Sequence, residues 1–372
     1  MKVLIAAGGT GGHINPGLSI AGIVQKRIPN SEILFVGNPA GMEAQLIPEA
    51  GYGIEFLKIS GIQRKPTPKN LIRNIKALSQ LAVSGKRAKE ILNKFKPDIA
   101  IGTGGYVSGP IIRKAAQMGI PTAIHEANAY PGVTTKLLSK EVGTVMLTTD
   151  AAVKHLGKDV RYAITGLPVR SALSVISRQE ARRALGFNGG MCILSFGGSL
   201  GAGCINEVMA DVIKWHTGKG LNINHIHGYG GMGKHSFPEA MAQAKIPLTS
   251  DTRRITEYIN DIDKCLAAAD LVICRAGAST LAELQAVGRA SVLIPSPIAT
   301  GNHQFHNATV LENAGAAIVM EQSGVTSEKM IKQIEEFYKN PQKLVEMGKN
   351  AKALAITDTD DRIFEVIRKL TA

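Results

Sequence analysis

Two stretches of this chain share one design, and together they constrain most of what it can fold into. Lys2–Ala7 reads KVLIAA and runs into GGTGG, while Met191–Phe196 reads MCILSF and runs into Gly197-Gly198-Ser199-Leu200-Gly201-Ala202. Each is a short apolar run of strand type followed by glycines that do not extend it, because glycine favours tight or left-handed backbone over a packed strand. After the first loop, Asn15 reads as a helix N-cap and Pro16 as the first helical residue, with Leu18, Ile20, Ile23 and Val24 giving an apolar face. The module is strand, bare loop, helix. A ligand can approach such a loop closely, and the helix N-terminus favours negative charge. Two openings of this kind, about half a chain apart, predict an α/β protein with two Rossmann-like domains facing each other across a cleft.

The alternation continues between them. Further strand-like runs at Glu32–Val36, Ile99–Ile101, Thr122–His125 and Thr144–Leu147, then Asn224–His227, Leu271–Cys274 and Ser291–Ile294, alternate with helical patterns and argue for parallel βα units. The join is expected near Gly166-Leu167-Pro168-Val169-Arg170. That gives a first domain over 1–165 and a second over 166–357, with an amphipathic C-terminal helix (358–372) completing the first. A chain of 372 residues is long enough for two cores.

Several classes drop out. The first apolar run is too short for a signal-peptide core, and no run approaches the length of a membrane span. Cys192, Cys204, Cys265 and Cys274 show neither CxxC nor zinc spacing and read as reduced cysteines of a cytoplasmic protein. A nicotinamide dehydrogenase also opens on a glycine-rich turn. Here, however, the first loop lacks the G-x-G-x-x-G spacing, and Phe35-Val36-Gly37-Asn38 stands where an acid would meet the ribose.

More loops carry motifs: GTGGYVSGP at Gly102–Pro110, HEANAYPG at His125–Gly132, CRAGASTLAEL at Cys274–Leu284 and GNHQFHNA at Gly301–Ala308. Each follows a predicted strand and leads toward a helix, as a cleft site requires. In this order, from Gly8 to about Ala317, these segments closely resemble the MurG family of peptidoglycan N-acetylglucosaminyltransferases. The resemblance implies the GT-B glycosyltransferase fold and an inverting transfer. GlcNAc would pass from UDP-GlcNAc to the MurNAc 4-hydroxyl of undecaprenyl-pyrophosphoryl-MurNAc-pentapeptide (lipid I), giving lipid II at the cytoplasmic membrane face. A UDP-GlcNAc 2-epimerase would share the fold and donor but needs no lipid acceptor.

The resemblance also implies a donor site. Thr10, Gly11 and Gly12 match the family's first glycine loop, Asn128 its His-Glu-Gln-Asn segment, Arg170 the arginine at the domain join and Ser199 the second loop. Ile259 matches a backbone contact to uracil. Ala278, Ser279, Thr280, Leu281, Ala282 and Glu283 match the nucleotide-binding turn and helix, and Gln304 a sugar-contacting glutamine. Ala127 and His303 depart from the pattern, since many relatives carry glutamine at the first and some at the second.

The chemistry supports these roles. Inverting transfer needs a base on the acceptor hydroxyl and stabilisation of a departing pyrophosphate. Helix N-termini with bare N–H groups suit the diphosphate at Gly197–Ala202 and Ala276–Thr280, and Arg170 adds a fixed charge. Glu283 is a plausible bidentate acceptor for the ribose hydroxyls. His13 is the candidate base, at a helix start where the dipole keeps imidazole neutral; the alternative is a loop cap or phosphate contact. Glu126 is the rival base, if desolvated. No cofactor and no metal is expected: Asp358-Thr-Asp-Asp reads as helix N-capping, and His225 and His227 share a strand face without a third ligand nearby.

Charge is concentrated. Between Lys58 and Lys96 stand eleven bases against one acid, Glu90, so this window carries +10 of the chain's +13. Within it, Leu71, Ile72, Ile75, Leu78 and Leu81 form an apolar helical face interleaved with Lys69, Arg73 and Lys76. That combination suits an anionic membrane surface and peripheral attachment. A solvated basic face is the plain alternative. Nucleic-acid binding is not expected, because only Tyr52, Phe56 and Phe95 lie in or near the window to stack on bases.

Overall fold

The computed structural model describes residues 1–59, 83–169, 176–198 and 200–372. The chain divides into two compact units, Met1–Pro168 with Ile356–Ala372, and Val169–Ala355. Each is built on one seven-stranded sheet.

In the first unit the strands are β1 (Lys2–Ala7), β2 (Glu32–Gly37), β3 (Gly53–Phe56), β4 (Ile99–Gly104), β5 (Thr122–Glu126), β6 (Thr144–Leu147) and β7 (Tyr162–Ile164). They lie parallel in the order β3-β2-β1-β4-β5-β6-β7. β1 is the central example of why the sequence folds this way. Val3, Ile5 and Ala7 join the core under the helices Gly11–Arg27 and Thr359–Thr371, while Leu4 and Ala6 join the core on the other face. Val3 to Ala7 are completely buried, so the run reads as continuously apolar rather than alternating, as a two-sided parallel sheet requires. The C-terminal helix contributes Ile363, Val366 and Ile367 to this unit.

The second unit repeats the scheme with β8 (Met191–Phe196), β9 (Ile223–Gly228), β10 (Thr249–Ser250), β11 (Arg253–Thr256), β12 (Leu271–Cys274), β13 (Ala290–Leu293) and β14 (Ala317–Val319). Their order is β10-β11-β9-β8-β12-β13-β14, parallel except for the short β10 edge.

Three expectations need correction. The first helix begins at Gly11 with Thr10 as its extended N-cap, so Asn15 and Pro16 lie inside it. Gly11 and Gly12 accept helical backbone, and the Thr10 carbonyl already receives the N–H groups of His13 (3.0 Å) and Ile14 (3.1 Å). Pro16 has no N–H to donate and so removes one bond early in the helix. Asp358 stands at the N-cap of the last helix but makes no capping bond; its carboxylate pairs instead with Arg362 at 2.8 Å. Third, His225 and His227 do have a third imidazole nearby, His216, described below.

Candidate active site

In an open α/β sheet, ligands bind beyond the strand C-termini where the strand order reverses. In the first unit that point lies between β1 and β4. The loops after both strands meet there, and glycine explains how closely. Gly104 (φ +115°) and Gly105 (φ +82°) are left-handed; a Cβ on Gly104 would overlap the His13 imidazole, and one on Gly105 would overlap the Gly8 carbonyl. Thr103 Oγ donates to the His13 carbonyl at 2.8 Å, and Ser108 Oγ to the Ala6 carbonyl at 2.7 Å. His13 therefore sits between the two loops with its Nδ1 buried. Thr10 and Gly12 are exposed beside it, and Gly11 half-buried. The first N–H groups of a helix have no partner within it, so Gly11 and Gly12 offer donors to a ligand.

Glu126 ends β5, the neighbouring strand, and is buried. Its carboxylate is fully engaged. Oε1 accepts from the Asn128 backbone N–H (3.0 Å) and Nδ2 (3.1 Å), and Oε2 from the Gly132 N–H (2.8 Å) and Thr135 Oγ (2.6 Å). The acid thus shapes the loop that carries Asn128. Adjacent His125 is buried, with Nε2 bonded to the Gly166 carbonyl at 2.9 Å, and burial lowers its pKa despite that carbonyl and Glu126.

In the second unit the reversal lies between β8 and β12. The loop after β8 turns through Gly198 (φ +92°) and Gly201 (φ +82°), tight against the Tyr229 carbonyl, and leads into the helix Gly203–Gly218. After β12, Gly277 caps the helix Ala278–Val287. Its first-turn residues Ala278, Ser279 and Thr280 are half-buried, whereas Leu281 and Ala282 turn into the core. Glu283 follows, close enough to β12 that its charge, after burial itself, helps push the Cys274 thiol up. Arg275 ties this turn to the end of β13, donating to the carbonyls of Ile294 (3.0 Å) and Pro295 (3.1 Å). Gln304 accepts the Ser296 N–H through Oε1 at 2.8 Å, which leaves its NH2 as the donor end. The Ile259 side chain is buried against Gly228, so only its backbone is on offer.

Arg170, Ser199 and the membrane set Lys69, Leu71, Ile72, Arg73, Ile75, Lys76 and Leu78 lie outside the described residues. Within the described part of the basic window, Arg87 and Lys94 both pair with Glu55, at 2.7 and 3.0 Å.

Sequence reasoning missed a buried histidine relay in the second unit. His216 Nε2 lies 3.2 Å from His225 Nδ1, and Ser195 Oγ bridges His225 Nε2 (2.9 Å) to His227 Nδ1 (2.8 Å). Burial pushes His216 down to about 4 and His227 to about 3, and His225 well below its ordinary value. All three are neutral at pH 7. Among the described residues no group of three or more His, Cys, Asp or Glu could hold a metal ion.

Comparison with known proteins supports the fold and gives the family. Residues 3–147 match the glycosyltransferase family 28 N-terminal domain and residues 192–363 its C-terminal domain. A UDP-N-acetylglucosamine--N-acetylmuramyl-(pentapeptide) pyrophosphoryl-undecaprenol N-acetylglucosamine transferase of Acetivibrio thermocellus is 42% identical, over 100% of this chain and 98% of its own. The enzyme of the same name from Thermoanaerobacter sp. is 40% identical, over 100% of both chains. The crystal structure of Acinetobacter baumannii MurG superposes with a TM-score of 0.79 at 30% identity, over 99% of each chain. A UDP-GlcNAc 2-epimerase from Neisseria meningitidis, at 13% identity and a TM-score of 0.65 over 99% and 100%, shares the fold alone. With two Rossmann-like units of the GT-B fold and full-length identity of this order, the chain belongs to glycosyltransferase family 28, among its MurG-type N-acetylglucosaminyltransferases.

Proposed function

We infer that this chain transfers GlcNAc from UDP-GlcNAc to the lipid-linked MurNAc-pentapeptide, converting lipid I to lipid II in peptidoglycan synthesis. The observation that carries the reading is the 42% identity over the whole chain to a transferase of that name. The epimerase reading rests on fold alone and falls behind it.

In the mechanism we propose, His13 takes the proton of the MurNAc 4-hydroxyl as it attacks the anomeric carbon from the face opposite UDP. Two observations favour His13 over Glu126. His13 stands at the loop crossing after β1 and β4, while both oxygens of Glu126 already accept two hydrogen bonds each. Spending those lone pairs on the loop leaves little capacity for an incoming proton. Thr10, Gly11, Gly12 and Asn128 reach UDP-GlcNAc from the first unit, where the sugar meets the acceptor. On the donor side, the N–H groups of Ala278, Ser279 and Thr280 face the pyrophosphate, with Ser199 and the charge of Arg170 assisting. Glu283 accepts from the ribose hydroxyls, the Ile259 backbone meets uracil, and the Gln304 amide donates to the sugar. These dipoles and Arg170 stand in for a divalent ion, so activity should survive a chelator.

The acceptor's lipid also gives the basic window a use. Among the described residues no helix is long and apolar enough to cross a membrane. We propose peripheral attachment at the cytoplasmic face through the Leu71–Leu81 face and Lys69, Arg73 and Lys76. Cosedimentation with anionic vesicles, against RNA as the alternative polyanion, tests it; vesicle binding unchanged by the triple glutamine variant would reject it. The function itself is tested by incubating labelled UDP-GlcNAc with a lipid I analogue. Release of UDP without labelled lipid product would overturn the reading.

A further inference from the structure

One buried acid of the first unit is not used by this mechanism. Glu43 opens the helix Glu43–Glu49 and is completely buried. Its Oε2 accepts the Gly9 N–H at 3.0 Å and its Oε1 the Asn38 N–H at 2.9 Å. Among the described residues no basic side chain pairs with it. Three backbone segments narrow to glycine to admit it: a Cβ on Gly8, Gly37 or Gly41 would overlap the Glu43 side chain.

Burying a carboxylate without a counter-charge is costly, and two backbone donors offset only part of that cost. An apolar side chain would fill the space more cheaply. What it could not supply is a charge-assisted grip on Gly9, whose left-handed backbone (φ +90°) delivers the chain to Thr10 and the helix start. His13 is held from the β4 side by the Thr103 hydroxyl on its carbonyl and by Gly104 against its ring. From the β1 side, Glu43 holds the loop that leads to Thr10 and the helix start.

We propose that Glu43 is a positioning residue for the transfer: its carboxylate sets the Gly9–Thr10 loop and, through it, the place of the His13 imidazole. This rests on His13 being the base.

Glu43→Gln tests it. The variant keeps the shape but replaces one acceptor oxygen with NH2, so either Gly9 or Asn38 must face a donor. With labelled UDP-GlcNAc and a lipid I analogue, kcat per folded enzyme should fall at least roughly tenfold, the consequence of one buried unmet donor. The KM for UDP-GlcNAc should move by a smaller factor than kcat, because the proposed uracil, ribose and most pyrophosphate contacts lie on the other unit. Amide hydrogen exchange should quicken at Gly9–Gly12 while β1 and β4 stay protected. An acid that served stability alone would lower Tm and the folded fraction but leave turnover per folded enzyme and loop exchange unchanged; that result overturns the proposal. If the amide variant does not fold, Glu43→Asp, which keeps the charge and shortens the reach, should show the same loss. His13→Ala in the same assay separates the two ideas. If it is inactive while Glu43→Gln turns over normally, the positioning role falls and the base stands; if His13→Ala turns over normally, the base falls and takes this inference with it.

Discussion

The two units share an architecture yet use their buried polar groups differently. In the first unit two buried carboxylates stand next to the strand C-termini, one of them beside the buried His125. Glu43 grips Gly9 and Asn38, and Glu126 grips Asn128, Gly132 and Thr135. Each anion takes backbone N–H groups that a tight loop would otherwise leave without partners, so the loops stay bare and rigid at once. The second unit buries a cluster of three neutral imidazoles, His225 and His227 on β9 and His216 on the helix Gly203–Gly218, linked to one another and to Ser195. The first unit invests its buried charge in loop shape around a histidine. The second buries His216, His225 and His227 away from the helix N-termini proposed to meet the donor. That contrast fits the division proposed above, with proton transfer on one unit and most of the nucleotide binding on the other.

The largest expected effect breaks or keeps that division directly. His13→Ala should lower kcat by about 10²–10⁴, the usual reach of general base catalysis, with UDP-GlcNAc affinity by calorimetry nearly unchanged. The acidic limb of the pH–rate profile should vanish with it. Glu126→Gln should instead slow turnover through its loop without removing that limb. A lost limb in Glu126→Gln and a retained one in His13→Ala would exchange the two roles.

A smaller effect is expected on the other unit. Glu283→Ala removes a charged acceptor from the ribose hydroxyls, a loss of about 1.5–3 kcal/mol, or roughly one to two orders of magnitude in the KM for UDP-GlcNAc. Thermal stability should hardly move, since Glu283 lies on the half-exposed side of its helix. A KM unchanged in steady-state assays would take Glu283 out of the donor site and blur the division.

Much of this was legible in the sequence because the signals were local. β1, β6, β8 and β12 have the bounds their apolar runs predict, and the glycine loops sit at strand ends as expected. The C-terminal helix contributes its apolar face, Ile363, Val366 and Ile367, to the first unit's core. The missed strands are short or lie toward the sheet edges. β3 is only half-buried, and β11 reads Arg253-Arg-Ile-Thr, a polar string whose first arginine is buried by donating to the Pro247 carbonyl and Thr217. The relay was invisible because it joins a helix to two strands, and periodicity within one element says nothing about such a meeting. Glu43 looked like any acid opening a short helix. Its only signal was the glycines around it, Gly37 and Gly41 close in sequence and Gly8 far away.

The smallest expected effect concerns acid. A histidine whose folded pKa is lowered takes up its proton more readily in the unfolded chain. Stability is therefore complete above the unfolded value near 6.5 and is lost as pH falls through the folded values, about 4 for His216 and about 3 for His227. Among the described residues the second unit holds three such histidines, whereas the first holds one with a resolved shift of this kind, His125. Each contributes a slope approaching about 1.4 kcal/mol per pH unit in that window, less where the rings are coupled. On going from pH 7 to pH 5, hydrogen-exchange protection should fall further in β8 and β9 than in β1 and β4. His216→Gln places an amide nitrogen near the Nε2 position and removes one titrating ring, so it should reduce that pH dependence by about one histidine's share. Equal loss of protection in the two sheets, or an unchanged slope in His216→Gln, would mean that the relay does not govern the acid response and that the contrast between the units stops at the loops.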